Sequence, residues 1–323
     1  MRNHRATLFR ISVLLALIVA VAWKADITGI QDQIHLQSLL AVIALQPAIL
    51  VGLGLSALRL KVLLRSPEVT TSRALKAQVL AYGCNLIIPG RGSELLKITY
   101  LHDHANVPIT AGFAAIFLER AMDVIFLGIL ASAALSMALL HIHPVFAVAP
   151  MTVAFALIVI GPRWRKGFLR LIDRLPFKTA RTFVLESSGH VSATLEFHGS
   201  KIALIYGVLI WVSAFLGVVI FFKHAGSVDI GMSGALVVFI ASIVGSAIPA
   251  LPAGLGTYEA AVVLTLRGLG YEYDEAVPLA LLLHGSQIIL SVFGAMTIIA
   301  FERLGIRALY EQVRKLPRTN GGA

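Results

Sequence analysis

Three charged residues stand close together inside a long apolar segment. Glu119 and Asp123 are four residues apart and share one helix face, and Arg120 lies three residues before Asp123. If the segment starts at Ile109 and crosses a membrane, Glu119 lies about 15 Å deep, halfway through a hydrocarbon core of roughly 30 Å. Charges at that depth must face protein or water. The group predicts a binding site for a charged cargo; the alternative is an Arg120–Asp123 pair that only locks helices together.

Two Pro/Gly-rich breaks interrupt other apolar segments, and each is followed by a glutamate. The helix-breaking residues are Pro89, Gly90, Gly92 and Ser93 in the first break and Pro252, Gly254, Gly256 and Thr257 in the second. Ser93 and Thr257 stand where N-caps are expected. A helix start at membrane depth presents free N–H groups suited to an anion such as phosphate. Arg91 favours contact with a lipid headgroup; helix capping alone is the alternative.

The two breaks are related by a constant offset. Glu94 and Glu259 are 165 residues apart, and the same offset carries Glu119 onto His284. Two matches at one offset indicate an internal repeat. His284 is either a proton-linked residue or a core histidine with satisfied hydrogen bonds. If the repeat holds, we expect Glu94 and Glu259 to line one cavity near the membrane midplane.

These patterns define one candidate set for substrate binding. Its members are Arg91, Glu94, Glu119, Arg120, Asp123, Glu259 and His284. The two arginines would hold an anionic headgroup, and the carboxylates would balance charge, hold a cationic group or carry a proton. No zinc motif, nucleotide-binding loop or covalent-catalysis motif is present, so we expect no metal, no cofactor and no enzyme activity.

The composition is that of a membrane protein. Of the 323 residues, 58% are hydrophobic and only 14% are charged, and the mean hydropathy is +0.85. The net charge of +10 does not indicate nucleic-acid binding, because most basic residues lie in the segments between apolar stretches that are predicted to be cytoplasmic. The single cysteine, Cys84, excludes an internal disulfide. Residues 1–22 resemble a signal peptide, but we expect a retained first helix.

The apolar pattern predicts an all-α membrane protein in a single transmembrane domain over 1–323. Six segments would cross and two would be broken and re-entrant. The crossing segments are 8–23, 36–58, 109–140, 144–161, 202–223 and 276–300, and the broken ones are 74–101 and 234–266. The two broken segments would then belong to inverted repeats, 36–140 and 202–300, as in many transporters.

The distribution of basic residues predicts the orientation. With both termini in the cytoplasm, only Lys24, Lys223 and Arg267 fall outside. The basic loop 162–201 is then cytoplasmic, either as a helix on anionic lipid or as a plain topology-setting loop. The polar tail 314–323 is expected to fray.

Three motifs in order resemble the flippase-like family, the transmembrane region of lysylphosphatidylglycerol synthase. They are Pro89-Gly-Arg-Gly-Ser-Glu94, Glu119-Arg-Ala-Met-Asp123 and Gly254-Leu-Gly-Thr-Tyr-Glu259. The resemblance covers about residues 8–305 and implies an integral protein of a prokaryotic inner membrane with a phospholipid or other amphipathic lipid as cargo. The first motif is tightly spaced, and His284 replaces an arginine common in the family. No soluble aminoacyl-transferase domain follows, so we do not expect the chain to make lysyl-lipid alone.

We therefore expect a lipid flippase. The alternatives are a membrane enzyme acting on a lipid headgroup, with Glu119 or Glu94 as base, and a non-transporting scaffold for a partner enzyme. The sequence also leaves open whether the chain forms a homo-oligomer.

Overall fold

The computed structural model describes residues 36–85, 92–135, 178–196, 199–226, 228–248 and 252–302. These residues form nine α-helices and no strand, which confirms the all-α prediction for this part of the chain. The helices are α1 Leu36–Leu64, α2 Thr71–Cys84, α3 Glu94–Ala105, α4 Ile109–Leu135, α5 Lys178–Glu196, α6 Gly199–Ala225, α7 Gly231–Ala247, α8 Thr257–Gly268 and α9 Tyr273–Phe301. A short 3₁₀ turn, Pro252–Gly254, precedes α8.

Several sequence predictions lie outside the described residues. They concern the segments 8–23 and 144–161, the first part of the basic loop, the tail 314–323, and Pro89, Gly90 and Arg91. Part of the basic loop is described and forms α5. This helix packs on α4, where the rings of Phe183 and Phe113 meet edge to face at 5.0 Å.

Three of the described helices are long and apolar enough to cross a membrane. They are Ser38–Leu64, Gly199–Ala225 and Tyr273–Phe301. On the last of them, Ile289, Phe293 and Met296 are all more than 60% exposed, as expected for side chains that face lipid. Helix α4 is also 27 residues long, but it carries Glu119, Arg120 and Asp123 near its middle.

The second break joins two antiparallel helices. Near the break, a Cβ on Gly245 of α7 would lie 2.6 Å from the carbonyl oxygen of Thr257 on α8, so the two backbones touch. At the other end, Leu269 packs near Gly234. The Tyr271 hydroxyl donates to the Asp229 carbonyl at 2.6 Å. The first and last residues of the segment 228–271 therefore lie together, at the end of the helix pair opposite the break.

The first broken segment also has its outer ends together. Near the start of α2, Lys76 Nζ lies 2.5 Å from Glu302 Oε1. Near the end of α3, the Tyr100 hydroxyl donates to Glu302 Oε2 at 3.0 Å. The hydrogen bond from Lys76 holds the pKa of the Glu302 carboxyl below its usual range. Glu302 follows α9 directly, so the ends of three helices meet at one carboxylate.

Contacts divide the chain into two compact units. Unit 1 comprises Met1–Val51, Gly83–Arg91 and Val212–Gly294; unit 2 comprises Gly52–Tyr82, Gly92–Trp211 and Ala295–Ala323. Unit 2 has a core of buried apolar side chains from α1, α2, α3 and α4, among them Leu60, Leu80, Leu101 and Leu118. The same four helices carry the charged residues described next.

Candidate functional site

A network of charged side chains lies inside unit 2, where four helices bring it together. Its members are Arg59 on α1, Gln78 on α2, Glu94 and Lys97 on α3, and Glu119, Arg120 and Asp123 on α4. Helix α3 runs about 17 Å from Glu94 to its end at Ala105. The network therefore lies deep along the broken segment, at the start of α3.

Glu119 is the buried centre of the network. Its side chain has no exposed surface. Lys97 Nζ lies 2.8 Å from Oε2, Gln78 Nε2 donates to Oε1 at 3.1 Å, and Arg59 Nε lies 3.7 Å from Oε1. A carboxylate in an apolar core is tolerated only with such partners. Glu119 therefore fixes Lys97 and Arg59 in place and is closed to a large ligand.

Asp123 is bound by two arginines. Arg59 donates from Nη1 to Oδ1 at 2.8 Å and from Nη2 to Oδ2 at 3.4 Å, so the contact is bidentate. Arg120 Nη2 lies 3.3 Å from Oδ2, and the Trp211 indole N–H donates to Oδ1 at 3.4 Å. The expected Arg120–Asp123 pair is present, but Arg59 makes the shorter contact.

One side of the network is open. The side chains of Arg120, Glu94 and Asp123 are 35%, 22% and 19% exposed, whereas those of Arg59 and Lys97 are each 3% exposed. Arg120 Nη2 lies 3.7 Å from Glu94 Oε1, at weak ion-pair distance. The open side thus presents one guanidinium between two carboxylates, and an approaching charged group would meet Arg120 first.

Sequence reasoning found four members of this network and missed three. Glu94, Glu119, Arg120 and Asp123 were expected in one site. Arg59, Gln78 and Lys97 were not, and they change the charge balance, because three carboxylates now face three cations. The spacing of Lys97 three residues after Glu94 is a signal that could have identified it.

The second break in unit 1 has its own polar pair, Glu259, which is partly exposed, and His284, which is buried. His284 Nδ1 lies 2.8 Å from Glu259 Oε1, and His284 Nε2 lies 3.2 Å from the carbonyl oxygen of Ala253. The rings of Tyr258 and His284 stack with centroids 4.0 Å apart. Glu259 Oε2 also accepts the Gly256 N–H at 2.7 Å, so one carboxylate joins the helix start to α9.

Helix α8 starts one residue earlier than the sequence predicts. Gly256 is the N-cap, and Thr257 is the first helical residue, whose hydroxyl donates to the Gly254 carbonyl at 3.1 Å. The N-cap has φ +81°, a conformation that glycine adopts without strain. Ser93 does hold the N-cap position of α3, but its side chain makes no capping hydrogen bond. At both starts the glutamate in the first turn complements the helix dipole.

Other features of the described chain lie apart from these two sites. A cavity of about 450 Å³ lies between the end of α6 and the start of α7, and Lys223, Asp229 and Met232 are among its lining residues. None of the predicted site residues lines it. Within the described residues, no group of three or more His, Cys, Asp or Glu side chains is placed to hold a metal ion.

Comparison with known families gives one match. A family model described as "Lysylphosphatidylglycerol synthase TM region" matches residues 7–294, most of the chain. No curated protein matched the chain. No solved structure matched it either.

Proposed function

The chain belongs to the family of the lysylphosphatidylglycerol synthase transmembrane region, and on that premise we propose that it is a lipid flippase. It is an integral membrane protein of a family tied to lipid handling. The proposed cargo is a phospholipid or another amphipathic lipid, moved between the two leaflets. We further propose a prokaryotic inner membrane with both termini in the cytoplasm.

The observation that carries the proposal is the open side of the charge network in unit 2. Arg120 is a cation on α4, 35% exposed, and it lies beside Glu94 at the start of α3, the helix that follows the first break. A lipid phosphate there would gain charge-assisted hydrogen bonds while its tails stay in the bilayer. Glu94 and Asp123 flank Arg120 and would hold a cationic part of a headgroup. The buried members Arg59, Lys97 and Glu119 would position these three.

Helix boundaries support the internal repeat. Adding the 165-residue offset to Ile109–Leu135 gives 274–300, against Tyr273–Phe301 for α9. Adding it to Glu94–Ala105 gives 259–270, against Thr257–Gly268 for α8. With the same 165-residue offset, the bounds of α1 and α2 fall within a few residues of the bounds of α6 and α7. Four consecutive helices thus recur in order, as an inverted repeat requires.

Contacts support the repeat as well. In the first half, Lys97 links Glu94 at 2.7 Å to Glu119 at 2.8 Å. In the second half, Glu259 contacts His284 directly. Each break glutamate is therefore connected to the polar residue 25 positions later on the long helix. Both broken segments also return to the end at which they start, which favours two re-entrant hairpins over two extra crossings.

The decisive experiment separates transport from the other two candidate functions. Purified protein in liposomes should exchange a fluorescent phospholipid between leaflets, measured by quenching of the outer leaflet, and headgroup analysis should show no chemical change. Headgroup turnover would indicate an enzyme. If vesicles that contain folded protein exchange no class of phospholipid, the result would favour the non-transporting scaffold.

A further inference from the structure

The protonation of the polar pair at the second break can be deduced from its hydrogen bonds. His284 faces an acceptor on each side of its ring, the Glu259 carboxyl group at Nδ1 and the Ala253 carbonyl at Nε2. A neutral imidazole has one N–H donor and one bare nitrogen, so it cannot donate to both oxygens. Each of the two contacts needs a proton of its own.

Two proton arrangements meet this need. Either His284 is an imidazolium beside an ionised Glu259, or Glu259 is a carboxylic acid that donates to a neutral His284. Both arrangements hold two protons and have no net charge. Removal of one proton leaves a net charge of −1 and breaks one of the two hydrogen bonds. This charge would lie on the Glu259 carboxylate, whose side chain is 15% exposed, against the buried ring of His284.

Among the described residues, no second cation is shown in contact with the pair. Tyr258 of α8 stacks on the imidazole, and its hydroxyl accepts the side-chain N–H of Gln287 at 3.0 Å. From the turn before α8, the Ala253 carbonyl faces the ring. Among the described residues, the ion-pair partner of Glu259 is His284 itself. The net charge of these two side chains therefore depends on whether they hold one proton or two.

The same proton bears on the shape of the helix break. Ala253 has φ +56°, a left-handed conformation that is strained for alanine, and its carbonyl is one of the two acceptors. Glu259 also accepts the N–H of the N-cap Gly256 at 2.7 Å. Loss of the proton would break the contact of the imidazole either with the strained Ala253 carbonyl or with the Glu259 carboxylate, while the Gly256 N–H would keep its acceptor. Protonation therefore stabilises the backbone conformation seen here.

We propose that Glu259 and His284 form a one-proton binding site whose occupancy holds the second helix break in this conformation. The equivalent position of the first half is a fixed ion pair, Glu119 with Lys97, so the two halves differ in this respect. The inference concerns protonation and backbone conformation, and it holds whether or not the chain moves lipid.

Solid-state NMR of the full chain in lipid bilayers tests it, with ¹⁵N-labelled histidine and glycine and ¹³C-labelled glutamate. At pH 7 we expect two protons on the pair, seen as an imidazolium with a carboxylate or as a neutral ring with a protonated carboxyl group. Raising the pH should remove one proton, and the Gly256 amide signal should shift with the same midpoint. His284→Gln identifies the ring signal; if that variant does not fold, the coupling to the Glu259 carboxyl carbon identifies it.

A matched control and two outcomes complete the test. His224→Gln should leave the titration unchanged, because His224 is exposed on α6, where its Nδ1 lies 2.9 Å from the Ile220 carbonyl oxygen. A neutral imidazole beside an ionised carboxylate at pH 7 would overturn the proton site. A titration of the pair without any shift of the Gly256 amide would overturn its link to the helix break.

Discussion

Arg59 is the residue that changes the interpretation of the charged cluster most. It stands near the end of a long apolar helix, where a basic residue usually sets topology. The structure instead buries it at 3% exposure between Asp123 and Glu119. Burial of a guanidinium is tolerated only because two carboxylates neutralise it. Arg59 thus holds α1 to α4.

The first prediction follows from this burial. Arg59→Met leaves Asp123 and Glu119 short of a cation inside the unit, and breaking a buried ion pair costs about 3–5 kcal/mol. We expect a loss of this size in the free energy of unfolding, measured by denaturant titration in detergent micelles. Lys61→Met is the matched control on the same helix, since Lys61 is exposed and its Nζ donates to the Thr71 hydroxyl at 3.3 Å. Equal stability of the two variants would show that the buried pair contributes nothing.

At the residue scale, the sequence predicts which acidic residues matter better than it predicts their partners. Glu119 and Asp123 are conspicuous because they interrupt a long apolar segment. Their partner Arg59 is 60 residues or more away in sequence, and no local spacing connects them. Long-range pairing of this kind depends on how helices pack, which periodicity does not encode.

The two helix breaks are each followed by a helix that carries a glutamate in its first turn. In the second break the backbone turns with positive φ at Ala253, Gly254 and Gly256, at +56°, +76° and +81°. A Cβ at Gly254 would lie 2.9 Å from the Ser246 Cα, an atom of the α7 backbone. Sequence correctly predicts a break at these glycines. It misplaces the N-cap by one residue, because the hydroxyl of Thr257 suggests a cap while the backbone angle requires glycine.

The second prediction tests that backbone. Gly254→Ala adds a methyl group in a left-handed conformation and against α7, so the free energy of unfolding should fall by at least about 1–2 kcal/mol. Gly52→Ala is the control, because Gly52 lies within α1 with open space around it. There the change should be neutral or stabilising by up to about 1 kcal/mol, from helix propensity. Thermal unfolding of both variants in the same detergent gives the comparison. A Gly254→Ala variant as stable as Gly52→Ala would argue against the strained turn.

The orientation of the whole molecule is still a prediction from charge. The distribution of basic residues places α5 in the cytoplasm and the end of α6 outside. In a Cys84→Ala background, Glu186→Cys on α5 should resist an impermeant thiol reagent applied to intact cells, whereas His224→Cys should be labelled. Both positions are exposed on their helices, so accessibility is decided by the side of the membrane. Strong external labelling at 186 would contradict the inverted-repeat topology.

That Glu94 and Glu259 line one cavity also stays a prediction. The charged network of unit 2 consists of ion pairs, whereas the site proposed in unit 1 is a glutamate–histidine pair that binds a proton, so the two sites differ chemically. Through the 165-residue offset, the sequence predicts that Glu119 and His284 occupy equivalent positions. It did not anticipate that one would be held by Lys97 and the other by a break glutamate.

The central claim, that Arg120 receives a lipid headgroup, is tested most directly by leaflet exchange in liposomes with Arg120→Gln. A charge-assisted hydrogen bond contributes about 1.5–3 kcal/mol, so the rate should fall by at least about tenfold. Stability should change by less than about 1 kcal/mol, because Arg120 is partly exposed and its ion pairs are screened. Lys61→Gln should exchange lipid at the wild-type rate. Exchange by a folded Arg120→Gln protein at the wild-type rate would contradict the account.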